Sequence, residues 1–175
     1  SRIISIDYDL DSMVVNWEPN GDYDFKNYTI LYSTNQFSGY SPLHQILEND
    51  QTRLILNEFD PTIENWFKVK TEDHWALFSE GAPTSNQIDP LPSASEIQSL
   101  DYDLDSMVIV WNKCSDEDFL SYNLLQSFSE NGEYNLIYTS NYPSDTTYLL
   151  DEFDPTIENW FKVQTTDIWS QEVVG

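Results

Sequence analysis

Two segments of this chain occur twice at the same spacing. The stretch EFDPTIENWFKV stands at Glu58–Val69 and again at Glu152–Val163, and DYDLDSMV stands at Asp7–Val14 and again at Asp101–Val108. Both pairs are separated by 94 residues (58 to 152 and 7 to 101). One offset shared by two separate blocks indicates a tandem duplication, and a unit of this length is a small domain rather than a solenoid turn. The chain is therefore predicted to contain two copies of one fold.

The composition is typical of a folded and strongly acidic protein. The 175 residues are 39% hydrophobic and 15% aromatic, which argues against disorder. No run of about 18 apolar residues is present, so no membrane insertion is predicted. Acidic residues number 31 against 7 basic ones, giving a net charge of −24. Nucleic acid is not expected as a partner, because phosphate binding needs a basic surface. The charge favours a surface adapted to saline surroundings, and recruitment of divalent cations is the alternative.

Alternating apolar and polar residues predict short β-strands along the whole chain. The pattern runs through Met13–Trp17 and its copy Met107–Trp111, and it recurs at Tyr28–Tyr32 and Arg53–Leu56. Polar turn clusters separate these runs, and no segment carries a sustained helical apolar stripe. The sequence therefore predicts an all-β fold of antiparallel sandwiches with almost no helix.

A proline-bearing segment divides the two copies. Pro83, Pro90 and Pro92 disfavour a continuous helix or a central strand there. We predict domains at 1–88 and 95–175, joined by a linker at 89–94 that acts as a semi-rigid spacer.

Three motifs of the first copy, with related segments in the same order in the second, resemble fibronectin type III domains. In the first copy they are SMVVNW at Ser12–Trp17, Y-x-I-x-Y at Tyr28–Tyr32 and FDPTIENWFKVKT at Phe59–Thr71. The resemblance covers both copies and implies two tandem immunoglobulin-like β-sandwiches. It also implies a non-catalytic extracellular or cell-surface role in spacing, adhesion or filament assembly.

The chain departs from the family at one corner. The family's corner tyrosine falls on Asn65 and Asn159. An asparagine amide can form similar local bonds to the backbone. In the alternative, a shift of one residue gives the corner role to Trp66, but it would bury Lys68 and Lys70 without partners. We therefore predict asparagine at the corner and an outward-facing Trp66.

Trp66 and Trp160 are the candidate binding residues. Each is predicted on the outer face of a sheet, flanked by Lys68 or Lys162. One interpretation is local cover, in which the indole packs over neighbouring side chains of its own domain. The other is a contact surface for another domain or subunit, since tryptophan is enriched at binding hot spots. By contrast, Trp75 and Trp169 are predicted to cap the ends of the cores.

An acidic repeat resembles part of a calcium-binding loop. Asp7, Asp9 and Asp11 have the D-x-D-x-D spacing of an EF-hand, with Glu18 at the twelfth position. The sixth position is Ser12 rather than glycine, so the EF-hand interpretation fails. A looser cation site at this turn is the alternative to a solvated acidic turn. The second copy repeats the acids at Asp101, Asp103 and Asp105.

Residues suited to catalysis are not repeated. His44, His74 and Cys114 have no counterparts in the other copy, and no zinc cluster, nucleophile elbow or phosphate-binding glycine loop is present. We therefore predict a protein that is not an enzyme, has no cofactor and forms protein–protein or self-association contacts. Two alternatives stay open: a carbohydrate-binding module of a secreted glycan-degrading enzyme, and a receptor-like pair of protein-binding domains.

Overall fold

The chain folds into two compact units made of β-strands. The computed structural model describes all residues from 1 to 175, and the units are Ser1–Pro90 and Leu91–Gly175. No helix is present, as the sequence predicts. Accordingly, the chain contains no helical segment long and apolar enough to cross a bilayer.

The first unit has eight strands in two antiparallel sheets. The strands are β1 (Ile3–Tyr8), β2 (Met13–Trp17), β3 (Phe25–Ser33), β4 (Ser41–Ile46), β5 (Arg53–Leu56), β6 (Trp66–Asp73), β7 (Phe78–Glu80) and β8 (Thr84–Ser85). One sheet has the order β1-β2-β5, and the other has the order β4-β3-β6-β7, with β8 also paired to β6.

The second unit repeats this arrangement with seven strands. They are β9 (Ile97–Tyr102), β10 (Met107–Trp111), β11 (Phe119–Ser127), β12 (Asn135–Ser140), β13 (Thr147–Leu150), β14 (Trp160–Asp167) and β15 (Glu172–Val174). The sheet orders are β9-β10-β13 and β12-β11-β14-β15. Each of these strands begins and ends 94 residues after its counterpart, and the positions that would correspond to β8 lie beyond residue 175. Three strands face five in the first unit and four in the second, which confirms the predicted tandem fibronectin type III-like sandwiches.

Each core is built around a tryptophan and a tyrosine from opposite sheets. Trp17 meets Tyr28 edge to face at 5.7 Å between ring centroids, and Trp111 meets Tyr122 in the same way at 5.8 Å. All four rings are buried. Edge-to-face pairs are worth about 0.5–1.5 kcal/mol beyond the area they bury. The repeat therefore preserves the contact that joins the two sheets of each sandwich.

The two core tyrosines also anchor a loop. The backbone N–H of Asn20 donates to the Tyr28 hydroxyl at 2.6 Å, and the N–H of Cys114 donates to the Tyr122 hydroxyl at the same distance. Cys114 is buried, and burial raises the pKa of its thiol. The cysteine thus occupies a structural position that Asn20 fills in the first unit.

Candidate contact surface

Strand β6 presents Trp66 on the outer face of its sheet. Phe67 and Val69 are buried in the core, whereas Trp66 and Lys68 are half-buried on the opposite side. Alternation along the strand places every second side chain outside. Trp66 therefore lies on the outer side of the strand, and the register that would bury Lys68 is not adopted.

Trp66 lies beside a lysine stacked on a tyrosine. The Lys68 ammonium lies 4.2 Å from the ring centroid of Tyr40. The Tyr40 hydroxyl donates to a backbone carbonyl at 3.0 Å, which fixes the ring. The Trp66 indole N–H donates to the Glu64 carboxylate at 3.1 Å. We call Tyr40, Glu64, Trp66 and Lys68 the Trp–Lys–Tyr patch.

The second unit reproduces the patch contact by contact. Lys162 lies 4.3 Å from the ring centroid of Tyr134, whose hydroxyl donates to the Glu130 carbonyl at 3.1 Å. The Trp160 indole N–H donates to the Glu158 carboxylate at 2.9 Å. Tyr134, Glu158, Trp160 and Lys162 stand 94 residues after Tyr40, Glu64, Trp66 and Lys68. The patch is therefore a duplicated surface feature.

Sequence reasoning found the tryptophans and lysines of the patch but missed the tyrosines. Tyr40 and Tyr134 lie outside the two long repeated blocks, so a comparison of those blocks does not include them. Their shared offset of 94 residues was the available signal. The stacked lysine could not be read from spacing, because β4 and β6 are separated by β3 in the sheet.

The patch differs between the units at one point. Lys68 also approaches the Glu80 carboxylate at 3.6 Å, and the position corresponding to Glu80 in the second unit is Val174. Lys162 therefore keeps the tyrosine contact without this ion pair. Partly exposed ion pairs are worth at most about 1 kcal/mol, so the shared aromatic contacts define the patch.

The acidic repeat serves to organise a turn. The Asp9 carboxylate accepts hydrogen bonds from the backbone N–H groups of Asp11 and Ser12 at 2.9 and 2.8 Å. Asp103 makes the same pair of bonds in the second unit, at 2.9 Å each. These bonds hold the pKa of both carboxyl groups below the ordinary range. A cation site at these turns stays a prediction.

Asparagine occupies the corner before β6, as predicted. The Asn65 side-chain amide donates to the carbonyls of Asp60 and Ile63 at 2.7 and 3.0 Å. Asn159 forms the equivalent pair of bonds at 3.0 and 3.1 Å. The amide thus ties the corner to backbone upstream.

The prediction that Trp75 caps the core is wrong. Its side chain is 77% exposed, in the turn between β6 and β7. That turn is organised by the Asp73 carboxylate, which accepts the N–H groups of Trp75 and Leu77 at 2.8 and 2.9 Å. Because the Asp73 carboxylate already fixes the backbone of the turn, the turn keeps its conformation without packing of the indole. Trp169, its counterpart, is half-buried.

Comparison with known proteins identifies similar solved structures. The FN1–FN3 domains of chicken CNTN1 are 8% identical, with a TM-score of 0.42, and the match covers 100% of this chain and 66% of that one. The chain thus spans slightly less than two thirds of that segment. A two-domain fibronectin type III segment of chicken tenascin is 16% identical, with a TM-score of 0.41, covering 100% of this chain and 98% of that one. No family model matches the sequence, and no curated protein is similar to it.

Proposed function

We propose that this chain is a non-catalytic module of an extracellular or cell-surface protein, which it spaces and assembles through the Trp–Lys–Tyr patch of each unit. The observation that carries the proposal is the repetition, outside the two cores, of the lysine–tyrosine stacking and of the indole hydrogen bond. Histidines and the cysteine, which chemistry would need, are not repeated. A duplicated scaffold with a duplicated surface suits a role in which two contacts act together.

The patch has the composition of a contact surface. Trp66 and Trp160 are half-buried, and each indole N–H is already bonded to a glutamate. An indole with its polar group satisfied offers apolar area to a partner at little desolvation cost. The local bonds also hold each ring in place, so a partner loses little side-chain entropy on binding.

The charge distribution favours a second copy of the chain as the partner. Two of the seven basic residues, Lys68 and Lys162, lie in the patches of a chain that carries a net charge of −24. Each lysine is offset by the glutamate of its own patch, so the patch is formally neutral and meets less repulsion from another copy than the acidic surface around it. Net repulsion between copies is screened by salt, so association is expected to strengthen at higher ionic strength.

The carbohydrate-binding alternative is less well supported by the same geometry. Sugar stacking needs open aromatic faces, and the rings of Tyr40 and Tyr134 are each approached by a lysine ammonium, at 4.2 and 4.3 Å. The cation occupies the ring face that a sugar would use. The patch is therefore better suited to a protein surface than to a glycan.

The proposal is tested by replacing Trp66 and Trp160 together with alanine. Sedimentation velocity at low and high salt measures self-association, and binding to purified cell envelope measures attachment. We expect either interaction to weaken by at least about tenfold. Phe37→Ala is the matched control, since Phe37 is an exposed aromatic residue outside the patch. If the double variant keeps its circular dichroism spectrum and both interactions are unchanged, the patch is not the contact surface.

A further inference from the structure

One end of the first unit carries a group of exposed apolar side chains. Tyr23 is 100% exposed, and Trp75, Leu77 and Phe78 are 77%, 69% and 61% exposed. Tyr23 lies in the loop between β2 and β3, and the others lie at the turn between β6 and β7. The N–H of His74 donates to the Asp24 carbonyl at 3.0 Å, so loop and turn adjoin. We call Tyr23, Trp75, Leu77 and Phe78 the end surface.

The second unit shows that the fold does not require these apolar residues. The positions corresponding to Tyr23, Leu77 and Phe78 are Glu117, Gln171 and Glu172. The strands around them are otherwise the same in length and position. Three large apolar side chains therefore stand where an equivalent sandwich carries polar ones. A clustered apolar surface without a folding role is typical of an interaction site.

The turn that carries Trp75, Leu77 and Phe78 is held in one backbone conformation. The Asp73 carboxylate accepts two N–H groups of the turn, and Ala76 adopts a φ of 64°, which closes it. The Lys70 ammonium lies 4.2 Å from the ring centroid of Phe78. A surface fixed before binding loses little entropy when a partner docks.

A small acidic depression adjoins the apolar side chains. It has a volume of about 200 Å³ and is lined by Phe25, Leu77 and Phe78 together with Asp22 and other acids. Pockets for small molecules measure roughly 300–1,000 Å³. This depression is smaller and can hold a single side chain. Its shape therefore suits a side chain presented by a protein segment.

The acids of the depression indicate the charge of that side chain. Asp22, Asp24, Glu72 and Asp73 line it. Glu72 is paired with Lys26 and Lys70, whereas the ion pairs of the chain include none of the three aspartates. Three carboxylates outside any ion pair, beside apolar walls, favour a side chain that has a charged head and an apolar stem.

We infer that the end surface is a docking site for a segment of another protein that presents a lysine or arginine beside apolar residues. The cationic side chain enters the depression, and its apolar neighbours cover Trp75 and Leu77. A second copy of this chain is a poorer occupant, because only 7 of its 175 residues are basic and its net charge of −24 opposes approach.

The probe is a synthetic peptide of alternating lysine and leucine, compared with peptides in which glutamate replaces lysine or serine replaces leucine. Binding is followed by tryptophan fluorescence and by calorimetry at physiological salt. We expect the lysine–leucine peptide to bind and both altered peptides to bind at least about tenfold more weakly. Equal binding of the lysine–serine peptide would overturn the inference, since charge alone would then account for the attraction.

The decisive variant exchanges Tyr23→Glu, Leu77→Gln and Phe78→Glu, which installs the residues of the second unit. It adds two negative charges, so plain charge attraction to the peptide would increase. We expect binding to fall by at least about tenfold instead. Trp75→Ser is a second variant with unchanged charge, and it is expected to weaken binding as well. Unchanged or tighter binding to both variants overturns the inference.

Two further measurements distinguish docking at the end surface from docking elsewhere on the chain. The Trp66→Ala/Trp160→Ala variant is expected to bind the peptide like the wild type, so failure of the Trp–Lys–Tyr patch would leave this inference standing. Sedimentation of the exchanged variant tests a second copy as occupant. If the exchange abolishes self-association, the end surface contacts another copy, and the inferred basic partner is wrong.

Discussion

The corner before β6 and the corner before β14 have the same twelve residues but different surroundings. In both, an asparagine amide donates to the same two backbone carbonyls. Yet Asn65 is only 4% exposed, whereas Asn159 is half-buried, and Pro61 is buried where Pro155 is exposed. The identical sequence thus gives both corners the same local hydrogen bonds. How deeply each corner is buried depends on the residues around it.

The difference comes from one segment of the first unit. β8 pairs with β6 at Trp66 and Phe67. Asn86, the residue directly after β8, lies against the corner. The Asn65 N–H donates to the Asn86 side-chain oxygen at 2.7 Å, and the Asn86 amide donates to the Ile63 carbonyl at 3.2 Å. The positions 94 residues after β8 and Asn86 lie beyond residue 175, so this cover is described for the first corner alone. Hydrogen bonds sealed from water in this way are costlier to break than exposed ones.

The largest effect is expected from removing the corner amide in each unit. Asn65→Ala leaves the Asp60 carbonyl without its amide donor and the Tyr32 hydroxyl without its acceptor. It should cost about 2–3 kcal/mol, whereas Asn159→Ala should cost about 1 kcal/mol because water can replace the more exposed amide. Urea unfolding gives the total loss, and hydrogen exchange in β6 and β14 assigns it to a unit. Equal losses at the two corners would show that cover by Asn86 does not matter.

A somewhat smaller effect is expected from removing the cover itself. Asn86→Ala should destabilise the first unit by about 1–2 kcal/mol and leave exchange in β14 unchanged. In the same background, Asn65→Ala should cost less than it does alone, since the corner is then open to water. A double-mutant cycle measures this coupling. Additive losses would mean that the two asparagines act independently.

A third change tests the bond that joins the corner to β3. The Tyr32 hydroxyl donates to the Asn65 side-chain oxygen at 3.1 Å, and Gln126 donates to Asn159 at 2.9 Å in the second unit. Tyr32→Phe removes this donor and keeps the ring packed on Phe67. We expect a loss of about 0.5–1.5 kcal/mol, confined to the first unit. Thermal unfolding checks it, with Tyr23→Phe as a control at a fully exposed ring.

The smallest difference in stability between the two units is expected at the turns organised by Asp9 and Asp103, because their hydrogen bonds are alike. Hydrogen bonds from the following backbone lower the pKa of Asp9 and Asp103 below the ordinary value of 3.8. Their contribution to stability is therefore complete above that value and is lost as the pH falls through the folded-state pKa. Asp9→Asn and Asp103→Asn should each reduce the loss of unfolding free energy that occurs as the pH becomes acidic, and they should reduce it to the same extent. Melting temperatures from mildly acidic to strongly acidic pH measure it, and unequal slopes would contradict the equivalence of the turns.

The strands, the outward Trp66 and the corner Asn65 could all be predicted from the sequence. Each depends on local pattern, because alternation decides which face a side chain joins and turn chemistry acts over a few residues. Trp75 shows where this reasoning fails. A tryptophan in a turn is expected to pack, but the Asp73 carboxylate already fixes that turn, and its bonds depend on a backbone conformation that the residue types do not specify.

The sequence alone determined the duplication, the strand positions and the side of the sheet on which each side chain lies, because all of these follow from short-range periodicity and one offset. Tertiary structure decided which equivalent residues are covered. Asn65 is sealed by Asn86, 21 residues later, and Lys68 stacks on Tyr40, which precedes a strand two places away in the sheet. Burial and stacking depend on residues brought together across the chain, so the sequence of a corner does not by itself decide how well its hydrogen bonds are covered.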